Sequence, residues 1–343
     1  MSRVLVMKRM HRRLISARLL LPCATLFCVS VSGQSCGLGE TITLGGSSGA
    51  TASGGQDAGS AYGGQGGEGE GQDVAELRAD HVQLVAELSD PDKDDNPTLT
   101  SDELELCLTS KRPGGQGSSD VWCAVRGTRE DPFGPLMPLT LVNAEGFDSS
   151  AALALNGLSL WVGTQKDDTL GGLDIFVSVR PRRDATWSEP QRVVELSSEE
   201  DDIPRPCAMA DTVMPLGSRR GGNGYQTYLA ERADQDARFA APQPIDELEL
   251  DGIEIVDGFL TEDGLTFLYS LIDSASEDPS DLYYSYRTTL RATFSAPHII
   301  RGINSSGDDR DPWLSLDGKR LYFSSDRGGD FDIWMAEIVG SSL

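Results

Sequence analysis

Residues 308–338 read DDRDPWLSLDGKRLYFSSDRGGDFDIWMAEI, and three short apolar runs stand out in them, at 313–316, 321–325 and 333–338. An Asp317-Gly318 dipeptide separates the first two runs. A two-residue type I′ turn needs positive φ at both central positions, so Asp-Gly between apolar runs predicts a hairpin. A Gly-Gly pair at 328–329 separates the second run from the third. The stretch is thus expected to form a three-stranded antiparallel meander.

The same pattern recurs upstream. Aligned on the turn, Asp317 corresponds to Asp263, Ala210, Asn156 and Asp102, at spacings of 54, 53, 54 and 54 residues. A second column keeps step: Asp120, Asp174, Asp281 and Asp332 open the third strand, with Gln226 replacing the acid in the third copy. A third column pairs an aromatic residue with a nearby proline after each of the first four copies: Phe133 with Pro135, Trp187 with Pro190, Phe239 with Pro242, and Phe294 with Pro297. Three columns in register over about 260 residues identify a repeat architecture.

The unit resembles the WD-related "PD" repeat of TolB-type β-propellers, roughly P-x-L-S-x-D-G-K-x-L-Y-F-x-S-D-R-x-G-G followed by D-I-W. The fifth copy matches nearly throughout, the first two moderately, the third and fourth weakly. The resemblance implies one four-stranded blade per unit, set around a central channel. Such domains commonly have six blades, whereas five copies are present here. Pro215 interrupts the second strand of copy three, which points to an edge, a bulge or a degenerate blade. The fold expected is all-β: a five-bladed β-propeller of four-stranded antiparallel blades.

Ring closure follows from the leftover pieces. Segment 82–88 (VQLVAEL) stands before Asp94 as 298–303 (HIIRGI) stands before Asp308, and so takes the place of a fourth strand with no blade of its own. Copy five ends near 338 without a fourth strand. The N-terminal strand 82–88 is therefore expected to complete the last blade, which removes two exposed edges. The blades are expected near 95–142, 148–196, 202–248, 254–303, and 308–339 with 82–88, inside a domain spanning 73–343.

Ahead of this domain, residues 1–35 carry Arg3, Lys8, Arg9, Arg12, Arg13 and Arg18 and then a mostly apolar run from 19 to 31. A basic segment before thirteen largely apolar residues is an export signal, too short to span a bilayer. Two outcomes remain open: cleavage after Gly33, or lipidation of Cys36 as in a bacterial lipoprotein. Residues 36–72 are nearly all Gly, Ser, Ala, Gln and Glu, which cannot bury enough apolar area to offset ordering, and are expected to be a flexible tether. The expected location is the periplasm or outer membrane, or secretion, as a monomer.

The formal charge is −25. Loss of the six basic leader residues leaves 23 basic and 54 acidic residues, or −31. Such a charge disfavours nucleic acid and anionic membrane surfaces, leaving membrane contact to a lipid anchor, and keeps an exported protein soluble. Asp94, Asp148, Asp202 and Asp309 form a column just before the innermost strands, broken by Ile255 in copy four. These acids either gather at one channel mouth, where Ca²⁺ with its six to eight oxygen ligands could bind, or each hold backbone N–H groups of their own blade. The recurrence with the repeat favours the second reading, with no cofactor.

Beyond the leader only His81 and His298 remain, with no G-x-S-x-G elbow and no His/Cys spacing for zinc. If Ser110 faces Asp120 across the hairpin, Cys107 faces Cys123, either as a disulfide in an oxidising compartment or as two reduced core residues. Cys207 is left unpaired. The function expected is non-catalytic binding of a protein or cell-wall component; the alternative is a channel-site glycosidase or sugar-binding propeller, whose acids must break the repeat.

Overall fold

The computed structural model describes residues 76–339 apart from 223, 251, 274, 275 and 277. The export signal, Cys36, the Gly-rich stretch to residue 72 and residues 340–343 lie outside that set. Among the described residues, twenty strands make five four-stranded antiparallel sheets, the blades of a β-propeller. The first strand, β1 (Arg78–Leu84), belongs to the last of these sheets.

Blade one holds β2 (Asp94–Leu99), β3 (Glu105–Ser110), β4 (Asp120–Val125) and β5 (Met137–Pro138). Blade two holds β6 (Asp148–Leu153), β7 (Ser159–Thr164), β8 (Asp174–Val179) and β9 (Gln191–Arg192). Blade three holds β10 (Asp202–Pro204), β11 (Val213–Ser218), β12 (Gln226–Glu231) and β13 (Gln243–Pro244). Blade four holds β14 (Ile253–Leu260), β15 (Thr266–Asp273), β16 (Asp281–Tyr286) and β17 (His298–Ile299). Blade five holds β18 (Asp309–Leu314), β19 (Arg320–Ser325) and β20 (Asp332–Val339), with β1 as its fourth strand. The first strand of each blade is innermost, and the outermost strands of blades one to four are only two residues long, which leaves little edge to template aggregation.

The closing strand is 78–84, not 82–88. Positions 83–84 do occupy the fourth-strand column, as His298–Ile299 does in blade four, but residues 85–88 turn instead of extending, with Leu88 N bonded to Val85 O at 2.9 Å. Pairing extends instead toward the N-terminus because β20 is long: Arg78 faces Val339 and Ala79 faces Ile338. His81, at φ 50°, forms the bulge that shifts register between Asp80 and Gln83. The same strand ties blade four to blade five, since Ala79 N donates to Arg301 O at 2.7 Å.

Pro215 lies inside β11 without breaking it. Having no N–H, it offers only its carbonyl, which accepts Arg205 N at 3.0 Å, and the interruption falls on the neighbouring β10, cut to three residues.

The middle strands are buried on both faces, as in β3, because each blade packs between two neighbours. The aromatic–proline column becomes a packing fixture at the hairpin end of the ring. An arginine covers each ring: Arg126 over Phe133 (4.2 Å), Arg180 over Trp187 (4.1 Å), Arg232 over Phe239 (4.6 Å) and Arg287 over Phe294 (4.6 Å). Each of these guanidiniums also donates through Nε to a carbonyl of the adjoining hairpin, at Glu103, Gly157, Asp211 and Gly264. A cation on an aromatic face is worth about 0.5–2 kcal/mol, so four copies fix hairpin to outer loop four times over. Cys107 and Cys123 face each other across β3 and β4 with Cα atoms 4.1 Å apart and are joined as a disulfide, while Cys207 is free and buried.

Candidate functional site

The inner strands run from an entry end, where Asp94, Asp148, Asp202 and Asp309 stand, to a hairpin end. The four aspartates do not converge. Each is buried and held within its own blade and the joint behind it. Asp94 Oδ1 accepts Arg112 Nη2 at 2.7 Å, and the same nitrogen donates to Leu88 O. Arg220 repeats the clamp on Asp202 (2.6 Å) and Leu196 O, and Arg327 on Asp309 (2.5 Å) and Ile303 O. Asp148 has no arginine and accepts Ala144 N at 2.8 Å. Burial pushes the carboxyls of Asp94 and Asp148 up to about 6. Among the described residues, no group of three or more His, Cys, Asp or Glu is placed to hold a metal ion. Of the third-strand acids, Asp120 accepts Gln116 N and Gly117 N, and Asp174 accepts Leu170 N, so they tie down the loops that precede them.

Two residues further along the inner strands, the repeat is broken. Asn96, Ser150, Asp257 and Asp311 each sit in a bulge of their strand with φ between 53° and 62°. Left-handed backbone costs a non-glycine residue roughly 1–2 kcal/mol, least for Asn and Asp, so four such sites in one ring need a common compensation. Arg205 supplies it from blade three, where β10 stops one residue short. Its Nη1 donates to Asn96 Oδ1 at 2.7 Å and Asp311 Oδ1 at 3.2 Å, and its Nη2 to Asp257 Oδ1. Ser150 Oγ donates to Asn96 Oδ1 at 3.0 Å, and Ser324 Oγ to Asp311 Oδ2. Residues of all five blades thus meet at a buried guanidinium.

The knot is electrostatically uneven. Burial, and then the like charge of Asp311, push the Asp257 carboxyl up to about 7. Burial acts on Asp311 in the same sense but is outweighed by Arg205, the Ser324 hydroxyl and Lys93, which hold it below the usual carboxylate range. Lys93 is paired with Asp95 at 2.5 Å and Arg310 with Asp308 at 3.2 Å. Asp257 and Asp311 are the off-repeat acids that a channel-site hydrolase would need, yet the Oδ1 of each is bound to one arginine, and Asp311 Oδ2 accepts Ser324 Oγ and Asn96 N as well. Sequence reasoning missed them because it followed the acid that recurs; the column Asn96, Ser150, Pro204, Asp257, Asp311 is polar in four copies and differs between blades, and that was the available signal.

At the hairpin end a cavity of about 420 Å³ opens among four blades, lined by Leu155, Cys207, Leu260, Glu262, Leu314 and Leu316. Asp263 and Asp317 stand on its border. Leu316 is 57% exposed although large and apolar. Arg220, in the off-repeat loop at 219–225, is occupied with Asp202 and not free for a ligand.

No protein-family model and no curated protein matches the sequence. Among solved structures, the chain is similar to TolB from Acinetobacter baumannii at 15% identity and TM-score 0.45, over 74% of this chain and 57% of that one. It is similar to an oligogalacturonate lyase from Vibrio parahaemolyticus at 10% identity and TM-score 0.41, over 77% and 97%. An α-L-arabinofuranosidase from Lactobacillus brevis matches at 11% identity and TM-score 0.47, over 74% and 94%. The chain spans little more than half the length of the TolB structure. Of these three, one bears the TolB name and two bear enzyme names, and no functional argument rests on likeness at this level.

Proposed function

We propose that this protein is a non-catalytic propeller that binds a protein or cell-wall partner at the cell envelope. The observation that carries the reading is Arg205. General acid–base or nucleophilic work by a carboxylate pair requires oxygens free to face substrate on both acids; Asp311 has both of its oxygens engaged, by Arg205, Ser324 Oγ and Asn96 N, and Asp257 gives its Oδ1 to the same guanidinium. The repeated acids are spent on blade joints in the same way. Among the exposed concave spaces of the described residues, the hairpin-end cavity is apolar with a few acids on its border, which suits recognition.

Export and anchoring belong to this reading as proposals: a leader over 1–35, lipid on Cys36 and a tether to residue 72 would hold the domain, with Ca²⁺ and other cofactors unnecessary. No helix of the described residues is long and apolar enough to cross a membrane. The runner-up, a glycosidase or sugar-binding propeller, is favoured only by the off-repeat placement of Asp257 and Asp311. The test is a panel of polysaccharides and peptidoglycan fragments incubated with the purified protein and with Asp311→Asn. Absence of turnover by both fits binding alone. Turnover by the wild type that Asp311→Asn abolishes overturns the proposal.

A further inference from the structure

The hairpin-end cavity has a cause in the repeat. Cys207 occupies the column of Leu99, Leu153, Leu260 and Leu314, each the last inward apolar residue before its hairpin. The equivalence is structural: Leu99 faces Leu106, Leu153 faces Leu160, Leu260 faces Phe267 and Leu314 faces Leu321, and the Ala208–Val213 bridge puts Cys207 opposite Met214. Four blades fill this layer with leucine. Blade three fills it with a side chain two heavy atoms smaller, and Cys207 lines the space. Interiors are packed to crystal density, so a short residue in an otherwise leucine layer leaves room unless its neighbours collapse, and here they have not.

The rim above that layer also varies between blades. The first turn residue of each hairpin is Ser101, Leu155, Met209, Glu262 and Leu316. Leu155 and Leu316 face the cavity from blades two and five, and Glu262 faces it from blade four. Charge is unequally settled around the rim. Arg129 answers Asp317 at 3.4 Å, and Arg183 answers Asp102 on the blade-one side. Glu262 and Asp263 have no ion pair among the described residues; Glu262 Oε1 accepts Ala210 N, and its Oε2 has no hydrogen-bond partner. Asp263 accepts only from Thr261 and Leu265 N. An apolar socket with two carboxylates on one side, neither in a close ion pair although Arg287 acts on Asp263 from a distance, is complementary to an apolar group next to a cation.

We infer that this socket receives a partner peptide segment that presents a leucine-sized side chain beside a lysine or arginine, the apolar group entering the space left at Cys207 and the cation meeting Glu262 and Asp263. The inference rests on the binding reading above. An aliphatic anchor in a pocket with charges at the rim is the usual division between affinity and orientation at an interface.

The test uses the purified propeller with its tether and three fluorescein-labelled heptapeptides on a glycine–alanine background, with central Lys-Leu-Lys, Lys-Ser-Lys or Glu-Leu-Glu, followed by polarisation. The first is expected to bind at least tenfold more tightly than the others, and to weaken as salt is raised. Cys207→Leu restores the residue that the other four blades use, and is expected to keep the thermal transition while reducing binding at least tenfold. Glu262→Gln with Asp263→Asn is expected to narrow the preference for Lys-Leu-Lys over Glu-Leu-Glu. Equal binding of all three peptides, no binding of any, or undiminished binding by a folded Cys207→Leu protein overturns the inference. Failure here with no polysaccharide turnover leaves the binding reading standing, whereas turnover removes that reading whatever the peptides do.

Discussion

Arg320 on β19 reaches Glu103 in the first hairpin, Nη2 to Oε1 at 2.8 Å, across 217 residues of sequence. Glu103 is fully buried at φ 57°, in the column where three of the other four copies have glycine: Gly157, Gly264 and Gly318. Arg126 and Arg129 lie 3.5 Å away on its two oxygens, and the Tyr322 hydroxyl donates to Oε2 at 3.3 Å. A strained carboxylate surrounded by three guanidiniums thus joins blade one to blade five.

Removing that charge should loosen the closure of the ring. Leaving buried partners unmatched costs about 3–5 kcal/mol. Glu103→Gln is therefore expected to lower the thermal midpoint by several degrees, and Glu103→Gly to do the same although glycine suits the backbone there. A calorimetric scan checks both; a Glu103→Gly protein as stable as the wild type would mean that backbone strain outweighs the ion cluster.

Asp257 makes stability depend on pH in an unusual direction. Its folded carboxyl holds a proton up to about pH 7, whereas an unfolded aspartate releases one near pH 4. Between those values the folded state binds more protons than the unfolded state, so stability is greatest on the acid side and falls as pH rises toward 7, by at most about 1.4 kcal/mol per pH unit for one group. Asp94 and Asp148, at about 6, act in the same sense over the lower part of the window. Asp257→Asn should make the decline shallower throughout, flattening it between pH 6 and 7 and leaving below 6 only the share of Asp94 and Asp148. Denaturant titrations across that range give the slopes.

The Cys107–Cys123 disulfide closes a separation of 16 residues. On chain-entropy grounds such a loop contributes about 3 kcal/mol. Peptide mapping without reductant should recover the linked pair, and the double change to alanine should shift the denaturant midpoint downward. Recovery of both thiols free from protein made in an oxidising compartment would count against it.

Much of the architecture was legible because turn chemistry and strand alternation act locally. Asp317-Gly318 and its equivalents mark hairpins wherever they occur, and a 54-residue period then multiplies one blade into five. The register that sets Cys107 opposite Cys123 followed from the same regularity. What escaped was decided by partners distant in sequence. The start of β1 at Arg78 depends on the length of β20, and the place of 82–88 in the repeat pattern instead pointed to that segment. The Arg205 knot is invisible locally because its members lie up to 215 residues apart, one on each blade. Cys207 looked like a lone buried thiol until four leucines were seen in its column.

The strand β1 also says where this domain is cut. Arg78 stands opposite Val339, so the two ends of the propeller leave side by side from a single sheet. The gap in the covalent chain falls inside blade five and not between blades, and no blade is structurally first. A short linker from 339 back to 76, with new ends opened at the exposed turn 234–237, would preserve every strand pairing. The ring is closed by the pairing of its two ends, so the order of its blades around the axis does not depend on where the covalent chain is interrupted.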